Sequence, residues 1–404
     1  MKQHLVCAQF IDTYFPVIDG VVRTVSNYAK YLNNGEDYCC VVAPKSKGYT
    51  DTEPFDVYRT LGMKIPFMGY SLSMPEISRK TRQALDGIPF NLYHAHSPFG
   101  IGHYALHMAH KHNIPIISTF HSKYYDDFKR ILKSEYAAQI GTDYIVRFYN
   151  KVDAVWACNH GTAQTLRAYG YQGEIFVMNN GSDYQYPINA EEIKRKSFEK
   201  YPFAAEEFVI LFVGHLIWQK NCELIIRTIA LLKQRGKRVR MLFVGTGYHE
   251  TEIRALATEL GLNDVITFVG QLSERNDLQE AYFRADLFFF PSVYDNAPLV
   301  VREAATMKLP ALLTRGTNAA EGIIDGVNGF TEEESPEKMA DRIEQIMQDK
   351  QMLKTVGERA SETIPVSWEE ISKRVRTQYD IVMEEYRRKS SMQKRRYGNR
   401  RNHE

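Results

Sequence analysis

Short apolar runs alternate along most of the chain with longer stretches whose apolar residues recur every three to four positions. Leu5–Phe10, Tyr38–Ala43, Leu92–His96, Ile114–Thr119, Val152–Cys158 and Ile175–Met178 read as strands in the first half. Glu207–Val213, Met241–Val244, Val265–Phe268 and Ala285–Phe290 do so in the second. The helical stretches are Thr24–Leu32, Gly102–His112, Glu250–Leu260, Asp277–Ala285, Leu299–Met307, Pro336–Asp349, Gln351–Thr363 and Trp368–Tyr386. A strand apolar on both faces belongs inside a parallel sheet. Regular alternation with helices covers both faces of that sheet. Ligands of such sheets gather beyond the carboxyl ends of the strands, so the loops that follow strands are where chemistry is to be sought.

At 404 residues the chain is too long for one ordinary core and suits two domains. Its 44% hydrophobic and 25% charged residues are those of a soluble globular protein, and no apolar run is long enough to span a bilayer. Leu5–Phe10 is too short for a signal peptide and reads as the first strand. The five cysteines are scattered, with no C-x-x-C pair, which argues for the reducing cytoplasm and against a disulfide framework or zinc site. The net charge of +2 hides an asymmetry: Arg387–Glu404 holds eight Lys and Arg against one acid, so the rest of the chain stands at −5. Two readings of that tail stand side by side, a hold on an anionic leaflet and a solvated end. The acidic body argues against dedicated nucleic-acid binding.

The strongest candidate chemistry lies in residues 291–310, PSVYDNAPLVVREAATMKLP. A strand runs into the polar loop Tyr294–Pro298, Pro298 suits the first turn of the helix that follows, and the helix start offers N–H groups and a positive dipole to an anion. Asp295 in the loop and Glu303 within the helix both reach that end. Two carboxylates for hydroxyls beside N–H donors for a diphosphate suit a sugar nucleotide. His103, His107 and His110 share a helix face but lack a carboxylate or cysteine at ligand spacing, so no metal site is expected. The stretch Tyr49–Met74 has no clear period; it reads as a core-packing insert or as an acceptor-facing or membrane-facing segment.

These motifs also carry a resemblance. Asp295, Glu303 and the trailing AATMKLP resemble the Glu-x7-Glu and E-A-x-A-x-G-x-P signature of retaining glycosyltransferases of family four, with Asp for the first Glu and Lys308 for the usual Gly. The loop Asp12–Val21 with Gly20, the turn Asn179–Asp183, the run from Gly214 to Asn221, Gly245–Gly247 and Asp325–Phe330 resemble further family motifs in the same order. In the Gly214 motif Lys220 matches, while His215 stands where the family has Arg. The run from Ser118 to Phe128 resembles that of bacterial diacylglycerol glucosyltransferases.

The resemblance implies an α/β protein of the GT-B fold, two Rossmann-like domains facing a central cleft. It places the acceptor-side domain at residues 1–185, the nucleotide-sugar domain at 186–365 with its linker near 184–196, a helix at 366–389 crossing back to the first domain, and a basic tail at 390–404. By resemblance Lys220, His215, Gly214, Gly20 and the backbone N–H groups of Leu299 and Val300 serve the donor phosphates. Asn296 and Glu303 complete donor binding, with Glu303 on the ribose. Asp295 and His121 lie at the transferred sugar, and Tyr124, Asp126 and Asp127 on the acceptor side. By itself, Gly20 reads equally well as a turn glycine. The implied activity is metal-independent, cofactor-free, retaining hexosyl transfer from a nucleotide sugar such as UDP-glucose to a lipid such as diacylglycerol. The enzyme is then cytoplasmic, touching the inner membrane face peripherally. Transfer to a polyprenyl-linked or cell-surface glycan, and sugar-nucleotide binding without catalysis, are the alternatives.

Overall fold

The structure is a computed structural model that describes residues 4–64, 71–73, 79–272 and 274–401, with backbone alone for 63–64, 71–73 and 393–401. The chain forms two compact units. One comprises Met1–Asn180 with Trp368–Glu404, the other Gly181–Ser367.

Among the described residues, nine strands lie in the first unit: β1 (Val6–Phe10), β2 (Tyr38–Pro44), β3 (Val57–Thr60), β4 (Gly62–Lys64), β5 (Ser71–Ser73), β6 (Leu92–Ala95), β7 (Ile116–Phe120), β8 (Ala154–Ala157) and β9 (Ile175–Val177). Seven of them form a parallel sheet in the order β3-β2-β1-β6-β7-β8-β9, while β4 and β5 pair as a small antiparallel ribbon. The second unit holds β10 (Phe208–Val213), β11 (Val239–Val244), β12 (Ile266–Gly270), β13 (Leu287–Phe290), β14 (Ala311–Thr314) and β15 (Phe330–Glu332), parallel in the order β12-β11-β10-β13-β14-β15. Every residue of β10 and β13 is buried, as expected of strands apolar on both faces. Rings stack across this sheet, Phe212 on Phe290 at 5.7 Å and Phe288 on Phe290 at 5.8 Å between centroids. Each such buried Phe contributes roughly 1.5–3 kcal/mol.

Both sheets reverse their strand order at one place. The chain winds outward from β1 through β2 to β3, then returns to the other side of β1 at β6. It does the same from β10 to β12, returning at β13. The loops after the two central strands therefore leave in opposite directions and open a crevice in each unit.

Several elements differ from the sequence expectation. The first helix starts four residues earlier, at Gly20, because the Asp19 carboxylate accepts from Val22 N–H and caps it. The expected linker becomes a helix from Ala190 to Lys200, with Ala190, Ile193 and Ser197 buried along one face. Two unanticipated helices, Tyr124–Leu132 and Glu135–Tyr149, fill the stretch before β8. Part of the aperiodic Tyr49–Met74 segment is sheet: β3 extends the edge beside β2, and Thr60 is buried there. Residues 65–70 and 74 of that segment lie outside the described residues.

The last helix runs from Trp368 to Arg401, and its buried positions Trp368, Ile371, Val375, Tyr379, Val382 and Met383 recur at helical spacing. Trp368 packs edge-on against Tyr28, and Arg376 Nε donates to Asp37 Oδ2 at 2.6 Å. Asp37 Oδ1 also accepts from Leu5 N–H at 2.8 Å, so this nearly buried pair ties the helix to the start of β1. Replacing Arg376 by Ala leaves the Asp37 charge buried without its partner. The expected cost is about 3–5 kcal/mol, read from the denaturant midpoint of the first unit.

Candidate active site

In the second unit the crevice lies between the loops after β10 and β13. The β10 loop is held by close backbone contact with the loop after β11. Gly214 N–H donates to Val244 O at 3.0 Å and Leu216 N–H to Thr246 O at 3.1 Å. This fit requires glycine: a Cβ on Gly245, whose φ is +128°, would stand 2.0 Å from Gly214 O, and one on Gly247 2.3 Å from Leu216 O. The weak G-x-G signal thus has a firm structural cause. The loop ends in a short 3-10 turn, Trp218–Lys220, and Asn221 turns through a positive φ of 61° into the next helix.

That turn delivers Lys220 to Asp295, on the loop after β13. Lys220 Nζ donates to Asp295 Oδ1, and both side chains are at most 17% exposed. The second carboxylate oxygen, Oδ2, is buried and has no hydrogen-bond partner among the described residues. Lys220 also lies 5.9 Å from the centre of the Phe290 ring. Asn296 is buried and accepts from Asn318 Nδ2 at 2.8 Å. Pro298 is the N-cap of the helix Leu299–Thr306 rather than a member of its first turn, and no side chain caps that end. A proline cannot cap, and no acid occupies the first turn, so the positive helix end at Leu299 and Val300 keeps its attraction for an anion. Glu303 follows on this helix, its Oε2 accepting at 2.9 Å from the hydroxyl of Tyr282. Tyr282 is buried, and burial together with the Glu303 charge pushes its hydroxyl pKa well up, which keeps it a donor. Sequence reasoning missed Tyr282, since nothing local marks it as Glu303's partner. Lys308 has a positive φ of 59°, so this chain keeps the glycine-like turn with a lysine in it. His215 is exposed on the β10 loop.

In the first unit the matching crevice lies between the loops after β1 and β6. The Ser97 hydroxyl donates to Asp12 Oδ2 across it, and both residues are buried. His121 follows β7 and joins a stack of imidazoles, His94 on His96 at 4.2 Å and His96 on His121 at 5.3 Å between centroids. His96 and His121 meet nitrogen to nitrogen at 3.0 Å, His96 reaches Gln9 Oε1 at 2.8 Å, and His94 reaches Thr119 Oγ1 at 2.7 Å and Tyr379 Oη at 2.6 Å. Burial pushes His121 down to about 4 and holds His94 and His96 well below the usual histidine range. The sequence pointed to His121 but not to His94, His96, Gln9 or Tyr379.

Of the acceptor-side residues, Tyr124 is a core residue. Its buried ring packs on Phe99 at 5.5 Å and Phe120 at 5.6 Å, and packing is the role this position gives it. Asp126 is exposed, and Asp127 pairs with Arg130 at 2.9 Å. Gly20 begins its helix with no atom within 4 Å of where a Cβ would stand, so packing does not demand a glycine there. His103 is engaged by the Tyr144 hydroxyl at 2.7 Å.

Two parallel sheets, each wound outward from a central strand, with Lys220 and Asp295 paired at the switch point of the second, define an α/β protein of two Rossmann-like units. Among solved structures, Anabaena HepE in complex with UDP and glucose superposes with a TM-score of 0.74 at 17% identity, covering 92% of this chain and 98% of that one. Sucrose-phosphate synthase from Thermosynechococcus elongatus superposes with a TM-score of 0.79 at 18% identity, covering 94% and 100%. The family model for Glycosyltransferase Family 4 matches residues 18–186, and that for Glycosyl transferases group 1 matches residues 193–363. The chain therefore belongs to the glycosyltransferases of the GT-B fold. It is 22% identical over 394 residues to the alpha-monoglucosyldiacylglycerol synthase of Acholeplasma laidlawii, covering 92% of this chain and 96% of the relative. It is 24% identical over 324 residues to the putative glycosyltransferase EpsD of Bacillus subtilis, covering 74% and 81%.

The histidine stack makes stability depend on pH. Unfolded histidines take up protons as pH falls through about 6.5. Folded His121 resists until about 4. Between those values the unfolded chain binds more protons, so stability falls as pH is lowered from 6.5 toward 4. Thermal unfolding followed across this window should show that loss, with a shallower slope in His121→Gln. Gly245→Ala should separately destabilise the second unit by about 1–3 kcal/mol, measured by urea unfolding.

Proposed function

We propose that the protein transfers a hexose, glucose from UDP-glucose, with retention of configuration to a lipid acceptor such as diacylglycerol, without a metal ion, at the cytoplasmic face of a membrane. The observation that carries this reading is Asp295. Its buried Oδ2 lacks a partner among the described residues, while Oδ1 is anchored by Lys220. A buried acceptor left unmade costs about 1–3 kcal/mol, and a sugar hydroxyl is the kind of donor that recovers it.

The roles follow from the chemistry at each position. Departure of the leaving group puts negative charge on the donor diphosphate. Lys220 and the N–H groups of Leu299 and Val300 stabilise that charge, with Gly214 admitting the phosphates close to the backbone and His215 at the rim. Lys220 then exchanges part of its bond to Asp295 for the phosphate. Glu303, oriented by Tyr282, takes the ribose hydroxyls, and Asn296 supports the donor from the same loop. In the first unit, His121 serves the reacting sugar, while Asp126 and Asp127 lie toward the acceptor. No carboxylate is assigned as a covalent nucleophile, which favours substitution on the front face. Support for glucose, UDP and a diacylglycerol acceptor comes from what the Acholeplasma relative and the HepE complex are named for. Leu132 at 50%, Tyr136 at 78% and Ile140 at 53% exposure, beside Lys133, favour peripheral contact with a bilayer.

The deciding experiment is product formation from UDP-glucose and diacylglycerol in mixed micelles, with wild type beside Asp295→Ala and Glu303→Ala. Glycolipid should form with wild type and fall by about 100-fold or more in both variants. Undiminished synthesis by Asp295→Ala overturns the site. UDP released in a Glu303-dependent manner without glycolipid would move the acceptor to a polyprenyl-linked or cell-surface glycan. Binding of UDP-glucose with no turnover would mark a non-catalytic sensor.

A further inference from the structure

We infer that Gln9, clamped by Tyr379 of the last helix, is a positioning residue that holds His94, His96 and His121 in one shared tautomer, with the proton on Nε2 of each ring.

The argument starts from a carboxamide, which donates only at nitrogen and accepts only at oxygen. Gln9 Nε2 faces Tyr379 Oη at 3.1 Å and Cys39 Sγ at 3.5 Å. The Cys39 thiol is directed toward Cys40 O at 4.0 Å, so its sulfur is left to accept from Gln9. Gln9 Oε1 then faces His96 Nε2 at 2.8 Å, and that nitrogen must carry the proton. A neutral imidazole has one N–H, so His96 Nδ1 is a bare acceptor. His121 Nε2, 3.0 Å away, must supply the hydrogen between them. On the other branch, the Tyr379 hydroxyl accepts from Gln9 and gives its own hydrogen to His94 Nδ1 at 2.6 Å. His94 therefore carries its proton on Nε2, toward Thr119 Oγ1 at 2.7 Å. Burial keeps the stacked rings neutral, so no second proton blurs the pattern.

Turning the Gln9 amide over reverses every bond and moves every proton to Nδ1. The network has two self-consistent states, and one amide, held by a residue 370 positions away, selects between them. In the selected state His121 offers Nδ1 as an acceptor. It accepts from a hydroxyl and does not donate to a carbonyl or phosphate oxygen. This consequence rests on the proposed role of His121 at the reacting sugar; the tautomer lock itself does not.

Long-range proton–nitrogen correlation spectra of the full chain with 15N-labelled histidine read the tautomer directly. His94, His96 and His121 should each show the Nε2–H pattern in wild type. Gln9→Leu should turn His96 and His121 into averages of both tautomers. Tyr379→Phe keeps the aromatic ring and should release His94 directly and His121 to a smaller extent through Gln9. The kcat should fall in proportion to the fraction of chains left in the competent form, about two- to tenfold, with the donor KM little changed. His121 in the Nδ1–H form in wild type, or unmoved in both variants, overturns the lock. Tautomers that respond as expected, while His121→Ala leaves turnover intact, would spare the lock and overturn the role given to His121.

Discussion

Parallel pairing imposes the constraint on which this molecule depends. Parallel neighbours cannot be joined by tight turns, so every connection crosses a face of the sheet, and the strand order must start from the middle and return once. At that return two loops part, between β1 and β6 in one unit and between β10 and β13 in the other. Each crevice is bridged by a polar pair drawn from the two parting loops, Ser97 with Asp12 and Lys220 with Asp295. In sheets wound this way, the crevice at that return is where ligands characteristically bind.

The two crevices differ in the polar groups gathered near them, although a carboxylate, Asp12 or Asp295, stands in each. The crevice of the second unit is bridged by the charged pair Lys220 and Asp295, beside a helix start that no side chain caps. In the first unit the polar groups behind His121 are neutral imidazoles, an amide and a phenol, linked bond to bond in the interior. A neutral network keeps its shape whether or not an anion is nearby, and it discriminates by the direction of hydrogen bonds rather than by charge.

The strands were legible because a segment buried on both faces carries an unbroken apolar run; β10 and β13 fall where Glu207–Val213 and Ala285–Phe290 are apolar. Asp295 and Glu303 lie on one loop and the helix after it, an arrangement local in sequence and so readable from spacing. Their supports were not. Tyr282 reaches Glu303 from another helix, and Gln9 meets Tyr379 across nearly the whole chain. Neither pairing leaves a spacing to read. The helix Tyr124–Leu132 was hidden for another reason: its aromatic and acidic residues looked like a binding motif, while Tyr124 in fact fills the core. The Ala190–Lys200 helix looked like linker because only Ala190, Ile193 and Ser197 face inward.

The return of the last helix to the first unit sets an order on how the molecule is made. The interior of that unit is closed by Trp368, Arg376 and Tyr379, which leave the ribosome after the whole of the second unit has been synthesised. Until then Gln9 on β1, His94 on β6 and Asp37 just before β2 lack their last partners, although the second unit already has all of its chain. The unit encoded first is thus completed last, and a chain cut short anywhere before Trp368 is left with an unfinished beginning.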